Sequence, residues 1–546
     1  MNFRASHIIK YILVFFSLLL CVTGCGKGEK EKKKEQPNII LISLDTLRAD
    51  HLRCYGYDRE ISPAIDSMAA KGVLFEKVYA QSNWTLPSHV SIFSSLYPST
   101  HGVLEKTSKI PEKTILLPQI LKKEGYRTVS FNAGGFVSAT FGFDRGFDVY
   151  EEIPKSTGNM ENICDQAIRW IRENHGEKFF MFLHTYEVHK PYAPPDLYEQ
   201  NYIPLAEVAF EKLKNILYKI LNDESLDFSD YELLIARRVR GELVDFVNKV
   251  YDENEAEIKQ KFSISKEEYL TKLKSTGKAY LEHIRDIYEY WHEKKEEAIG
   301  YKYILEHYDT EIIFADDQIK RLLNLLEEME LKENTLIILT SDHGEEFFDH
   351  RNSGHAIHCY NEVIQVPLIF YYPGHLPEGL RIETNTALID IPPTILDLIG
   401  VQGPEAFEGI SLLPAIAGEE GGSRILFSEH LISSRVPGFR PIAVIQDDWK
   451  YQCNVEILDI ESLKLGDLEK EPRNRGFADK IAPEALYQMK QDPGETENLL
   501  EEAAEIVARM RKHAEKHLEK VRGSEVETIT LDDELEKQLQ DLGYIE

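Results

Sequence analysis

Basic residues are in short supply in this chain. Its 546 residues hold 63 Lys and Arg against 93 Asp and Glu, a formal net charge of −30. A body of that sign repels a phosphate backbone, so no nucleic-acid partner is expected. Cysteine is scarce too: Cys21 and Cys25 sit near the start, leaving Cys54, Cys164, Cys359 and Cys453. No C-x-x-C spacing suggests a zinc knuckle, and most of the four are expected to be free and buried. The apolar run Tyr11 to Cys21 (YILVFFSLLLC) is too short for a comfortable membrane span. What the chain does have is 42% hydrophobic residues, enough for a sizeable core, which excludes disorder throughout.

Arg4 and Lys10 with that apolar run have the make-up of a signal peptide. The run ends in Val22-Thr23-Gly24-Cys25, which resembles a bacterial lipobox. By that resemblance residues 1–24 are removed and Cys25 becomes the lipidated first residue. The product would be an exported lipoprotein, held to a membrane by its lipid on the periplasmic or cell-surface face. A plain secreted protein cut nearby and an uncleaved anchor are the alternatives. Residues 25–36 include Lys27 to Glu35 (KGEKEKKKE), a solvated tether.

Beyond the tether the pattern is that of an α/β protein. Pro37 to Asp45, Lys178 to His184 and Thr335 to Asp342 are apolar runs that end in polar residues, as strands buried on both faces do. Thr128 to Phe131 and Val366 to Tyr371 read as further strands, with helices over Ile115–Glu124 and Ile319–Met329. Ser62-Pro63 is an expected N-cap and first helical residue. The expected architecture is a mostly parallel sheet with helices on both faces, with chemistry at the carboxyl ends of its strands. The main domain is placed at 37–420, and a small α+β subdomain with a tail helix at 421–546. Residues 194–301 break the rhythm as a charged, Tyr- and Leu-rich helical insertion, either a lid over the site or a peripheral pack.

Three segments carry chemistry: Ser43-Leu44-Asp45-Thr46, Asn83 to His89 (NWTLPSH), and Ser341-Asp342-His343-Gly344. Two carboxylates, a hydroxyl and a neutral imidazole make a mixed oxygen and nitrogen set that suits one divalent ion. Alone, a strand-end Asp or a Thr before Pro is commonly just a helix cap. In this order on this framework, the set resembles the sulfatase family of the alkaline phosphatase superfamily.

The resemblance runs through Ser62-Pro63-Ala64-Ile65-Asp66, Leu86-Pro87-Ser88, Tyr97-Pro98, His101-Gly102 and His189-Lys190-Pro191-Tyr192. It continues with Tyr308-Asp309, Glu311, Asp316, Ser341 to Glu346, Gly354-His355 and Val366-Pro367, and ends at Leu542-Gly543-Tyr544. It implies that Asp45, Thr85, Asp342 and His343 surround a metal, that His189 and His355 face the substrate as catalytic groups, and that 37–420 is the catalytic domain. His89, His184 and Lys190 are further candidates for substrate contact, Glu187 another. His350, His355 and His358 are crowded enough to raise a second metal, but a single ion fits better.

Two departures from the family matter. Thr85 stands where sulfatases carry the Cys or Ser that becomes formylglycine, and His89 replaces an Arg. Thr46 stands where many carry a second metal-binding Asp, which favours manganese, zinc or magnesium over calcium. A metal-bound Thr85 alcohol can attack a phosphate or sulfate directly. The reading put first is therefore a metal-dependent hydrolase or transferase of phosphate or phosphodiester groups. The alternatives are a sulfuric ester hydrolase acting on sulfated glycans or aryl sulfates, and a surface lipoprotein that binds without catalysis. The expected partner is a small-molecule, glycan or lipid-head-group ester.

Overall fold

Three apolar runs side by side fix the architecture. In the computed structural model, β1 (Asn38–Leu44) lies at the middle of an eight-stranded sheet and is buried along its whole length. The other strands are β2 (Val73–Phe75), β3 (Arg127–Asn132), β4 (Val149–Glu152), β5 (Phe179–Thr185), β6 (Thr335–Thr340), β7 (Leu368–Tyr371) and β8 (Leu380–Ile382). Their spatial order is β8-β2-β7-β6-β1-β5-β3-β4. All pairs are parallel except those that β7 makes with β6 and β2. A parallel strand this apolar needs cover on both faces, and helices supply it. The structure describes residues 36–546 except 154–159, 204, 227, 240–246, 249, 253, 296, 420, 432–438, 459–481, 520–525, 543 and 545–546. Cys25 and the expected signal peptide therefore lie outside the described residues, and among those described no helix is long and apolar enough to cross a membrane.

The register of the central strands matters most for the site. Ser43 of β1 pairs with His184 of β5 on one side and with Thr340 of β6 on the other. The residues just beyond, Asp45 and Ser341-Asp342-His343, leave the sheet at the same edge. Helix α1 (Thr85–Ser94) starts at Thr85, and Pro87 in its first turn has no N–H to lose. The 30-residue helix α2 (Ile299–Glu328) starts well before the expected Ile319, because it also carries the end of the insertion.

Ser62 takes the expected N-cap position and Pro63 is the first helical residue, but the hydroxyl does not do the capping. No side-chain cap bond forms there, and the Ser62 hydroxyl donates to Asp66 Oδ2 at 3.3 Å. The carboxylate of Asp316 takes the role instead, accepting the Ala64 and Ile65 N–H groups at 2.9 and 2.8 Å.

Most of the described residues of the insertion are helical, including Lys266–Glu293. It docks on the loop that follows Glu346. Tyr288 and Trp291 each set their rings 4.6 Å from that of Phe348, and Lys295 pairs with Asp349 at 2.8 Å. A second, antiparallel sheet follows: β9 (Ile425–Glu429), β10 (Pro441–Gln446), β11 (Trp449–Asn454) and β12 (Glu484–Gln488). The final helix is α3 (Asp533–Asp541). Cys54, Cys164, Cys359 and Cys453 are free thiols, the last three buried.

Candidate active site

Asp45, Thr85, Asp342 and His343 converge at the carboxyl edge of β1 and β6, all fully buried. Ligand atoms of Asp45, Asp342 and His343 lie within 4.8 Å of one another. Thr85 Oγ1 donates to Asp45 Oδ2 at 3.2 Å and stands 3.4 Å from His343 Nε2. Gly344 lets His343 approach: its N–H bonds Val363 O at 2.7 Å, and a Cβ there would lie 2.1 Å from Glu362 O.

Two buried carboxylates side by side are costly unless something compensates them. Asp45 Oδ1 and both Asp342 oxygens lack hydrogen-bond partners. Burial first, then the Asp342 charge, pushes the Asp45 carboxyl well above its usual range. For His343, burial works against the imidazolium, but Asp342 and Asp45 outweigh it and raise its pKa. His343 Nδ1 donates to Gly344 O at 2.9 Å, which turns the Nε2 lone pair toward the two acids. Orphaned carboxylate oxygens facing an oriented imidazole are a donor set that fits one divalent cation.

His89 is corrected from a substrate contact to a support. Its Nε2 meets Ser43 Oγ at 3.0 Å and its Nδ1 meets Thr85 O at 3.0 Å, so both ring nitrogens are engaged within the protein. Burial lowers its pKa to about 3, which keeps it neutral. His184 is likewise neutral, its pKa lowered to about 4 by burial, with Nε2 3.4 Å from Asp45 Oδ2. Thr46 turns its hydroxyl to Val188 O at 2.9 Å and adds no carboxylate. It does so with φ at 59°, a left-handed conformation that strains a β-branched residue.

His189 and His355 stand together, their ring centroids 5.1 Å apart, and the His355 ring lies 4.5 Å from that of His343. They are not equivalent. His189 Nδ1 donates to Lys190 O at 2.5 Å, and burial followed by the neighbouring His355 drives its pKa well below the usual value. In that tautomer Nε2 is an acceptor. His355 Nδ1 instead lies 3.1 Å from Glu345 Oε1, and Tyr192 donates to the other Glu345 oxygen at 2.9 Å. A carboxylate behind an imidazole orients it and stabilises its charged form. The Lys190 carbonyl thus has a defined part in the site. Glu187 is corrected: its Oε2 accepts the Met160 N–H at 2.8 Å and so serves a helix start.

The histidine-rich run divides. His355 enters the site, while His350 pairs with Glu362 at 2.7 Å and stacks on Tyr360 at 3.5 Å. His358 pairs with Glu346, whose Oε1 also accepts the N–H groups of His350 and Asn352. Glu346, His358 and Glu362 come within 4.8 Å of each other, but these ion pairs and hydrogen bonds already occupy them. One residue that motif reading leaves without a role also arrives: the Tyr544 hydroxyl is 2.7 Å from Thr85 Oγ1.

Residues 37–401 match the family model described as Sulfatase. Residues 343–478 match the model described as N-sulphoglucosamine sulphohydrolase, C-terminal. An N-acetylglucosamine-6-O-sulfatase of Bacteroides thetaiotaomicron is 25% identical over 440 residues, 73% of this chain and 74% of that one. Arylsulfatase K of Homo sapiens is 22% identical, over 74% of this chain and 71% of that one. A solved structure of a protein with its substrate D-glucosamine-2-N,6-O-disulfate superposes with a TM-score of 0.61 at 20% identity, covering 90% of this chain and 99% of that one. A phosphonate monoester hydrolase from Silicibacter pomeroyi gives 0.61 at 18% identity, over 91% and 98% of the two chains.

Proposed function

The chain belongs to the sulfatase family, and from that premise we propose that it hydrolyses sulfate esters of glycans with the unmodified Thr85 as nucleophile. The chain is a hydrolase of the sulfate- and phosphate-ester class. The observation that supports sulfate is the charge of the site. Asp45 and Asp342 bring two carboxylates, three of whose four oxygens accept no hydrogen bond, and with both ionised around it a divalent ion would bring the set to neutrality. Into a buried neutral site a singly charged ester enters at lower cost than a doubly charged one. A sulfate ester is a monoanion at neutral pH, whereas a phosphate monoester is close to a dianion.

Asp45, Asp342, His343 and the Thr85 hydroxyl would hold the cation, which would lower the hydroxyl pKa and offset charge on the transferred group. The remaining roles fall to the chain itself. Thr85 stands at the first position of α1, where helix N–H groups favour an anion. Asp45 Oδ2 accepts the Thr85 hydroxyl hydrogen bond and so fixes the orientation of the attacking oxygen. His189, with Nε2 as an acceptor, would hold a substrate hydroxyl. His355, backed by Glu345, would give the departing alcohol its proton.

Phosphodiesters and phosphonate monoesters carry the same single charge and form the second reading. Thr85 favours it, because a threonine has one hydroxyl and cannot expel sulfate as an aldehyde hydrate does. A panel of nitrophenyl sulfate, a nitrophenyl phosphodiester, a phosphonate monoester and nitrophenyl phosphate, run with manganese, zinc, magnesium and calcium, separates the two. Sulfate turnover is expected, with the phosphate monoester slowest. Diester turnover without sulfate turnover moves the assignment to the second reading, and a preference for the monoester contradicts the charge account.

The two histidines should separate by leaving group. Removing a general acid costs about a hundredfold where the departing oxygen needs a proton. His355→Ala is therefore expected to slow alkyl sulfate hydrolysis about a hundredfold. Nitrophenyl sulfate, whose leaving group departs as an anion, should lose less than about tenfold. His189→Ala should slow both to a similar extent, and a His355→Ala enzyme that does the same loses the assignment.

A further inference from the structure

Thr85 Oγ1 has Asp45 Oδ2 at 3.2 Å, His343 Nε2 at 3.4 Å and the Tyr544 hydroxyl at 2.7 Å. The first two belong to the cation-holding set. Tyr544 comes from the far end of the chain, and the approach is built rather than incidental. The tail is tied down before it arrives: Lys109 N donates to Glu527 O at 2.8 Å and Ile529 N to Thr107 O at 2.9 Å. Helix α3 then buries Leu535 and Leu539, and Gln538 Nε2 donates to Ala133 O at 2.6 Å. Tyr544 N closes on Leu539 O at 2.8 Å, and Lys106 Nζ bonds the Tyr544 carbonyl. The ring packs edge-on to Phe136 with centroids 4.7 Å apart and lies 5.1 Å from the ring of His189. The phenol is thereby held against the attacking atom.

We propose that Tyr544 is a catalytic residue, its phenol donating a hydrogen bond to Thr85 Oγ1 while the covalent intermediate forms and, above all, while it is released. This rests on Thr85 being the nucleophile. In the first half-reaction the Thr85 Oγ1–S bond forms and the S–O bond to the alcohol breaks. Thr85 gives up its hydroxyl proton to solvent, the alcohol gains one from His355 and His355 takes one back from solvent, so Thr–OH and ROSO3⁻ give Thr–OSO3⁻ and ROH. In the second, water attacks sulfur and the S–Oγ1 bond breaks. One proton of that water ends on Thr85 Oγ1, and hydrogensulfate leaves. Tyr544 keeps its own proton in both.

The second half-reaction is the harder one for a threonine. With no second hydroxyl on Cβ to drive elimination, Oγ1 itself must depart from sulfur and take up negative charge. A donor already in place at that oxygen stabilises the charge as it develops, without reorganisation. The same argument holds for phosphorus in place of sulfur.

Tyr544→Phe in the full chain tests this, because it keeps the ring and its packing and removes one oxygen. Loss of one such donor lowers kcat by about a hundredfold. The fraction of enzyme carrying the sulfuryl group, read as intact mass after acid quench during turnover of nitrophenyl sulfate, should rise from minor to dominant. The thermal midpoint should match that of the wild type. A Tyr544→Phe enzyme with unchanged or faster kcat overturns the proposal, as does a loss of kcat with no accumulated adduct. A wild type inert toward every ester in the panel overturns the nucleophile assignment as well, so the two failures are told apart.

Discussion

Thr85→Ala is expected to abolish ester turnover, by at least about ten-thousandfold in kcat, since removing a nucleophile leaves only binding and electrostatics to act. Thr85→Ser keeps a hydroxyl on the first residue of α1 and should stay within about tenfold of the wild type. The pair of variants is informative because of where the side chain sits. Thr85 Oγ1 is shared among Asp45, His343 and Tyr544, so its loss touches the chemistry and little else. Glycan sulfate binding, measured by calorimetry on Thr85→Ala, should persist. Full activity in the alanine variant would mean that the ester is cleaved without Thr85 as the nucleophile.

The second large effect concerns Asp342. Its two carboxylate oxygens are buried without hydrogen-bond partners, and a cation is what would stabilise them. Asp342→Asn should weaken divalent ion binding by at least about a hundredfold, since even outer-shell changes at metal sites cost ten- to a hundredfold. Turnover should fall with it. Added manganese or zinc should raise the thermal midpoint of the wild type and leave that of Asp342→Asn nearly unchanged. A wild type whose midpoint and activity ignore chelators would exclude a cation at this set.

How much of this was legible in the sequence depends on the range of each contact. Asp45 and Asp342 could be placed because an apolar run that ends in an acid marks a strand end, and parallel neighbours in register deliver those ends to one edge. Thr85 could be placed at a helix start because Pro87 follows it by two residues. The division of the histidine run could not. His350, His355 and His358 lie on a loop whose Arg351 and Ala356 take left-handed φ values of 68° and 62°, and each such turn redirects the next side chain. No period carries that information. The Glu345 carboxylate behind His355 was hidden for the same reason.

Tyr544 was visible only as a shared motif. Its partner lies 459 residues away, and nothing local to the tail says which hydroxyl it will meet. The insertion was legible as helix from its composition. Its docking on Phe348 through Tyr288 and Trp291 was not, since aromatic residues on a helix declare burial but not a partner.

The measurement closest to the central claim is to locate the covalent intermediate. Wild-type enzyme with bound divalent ion would be quenched in acid during turnover of a slow aryl sulfate, digested, and sequenced by tandem mass spectrometry. A sulfuryl group on Thr85, absent from Thr85→Ala and removed on incubation with water before the quench, is the predicted result. A modification on any other residue, or turnover in which Thr85 stays unmodified while Thr85→Ala remains active, would contradict it.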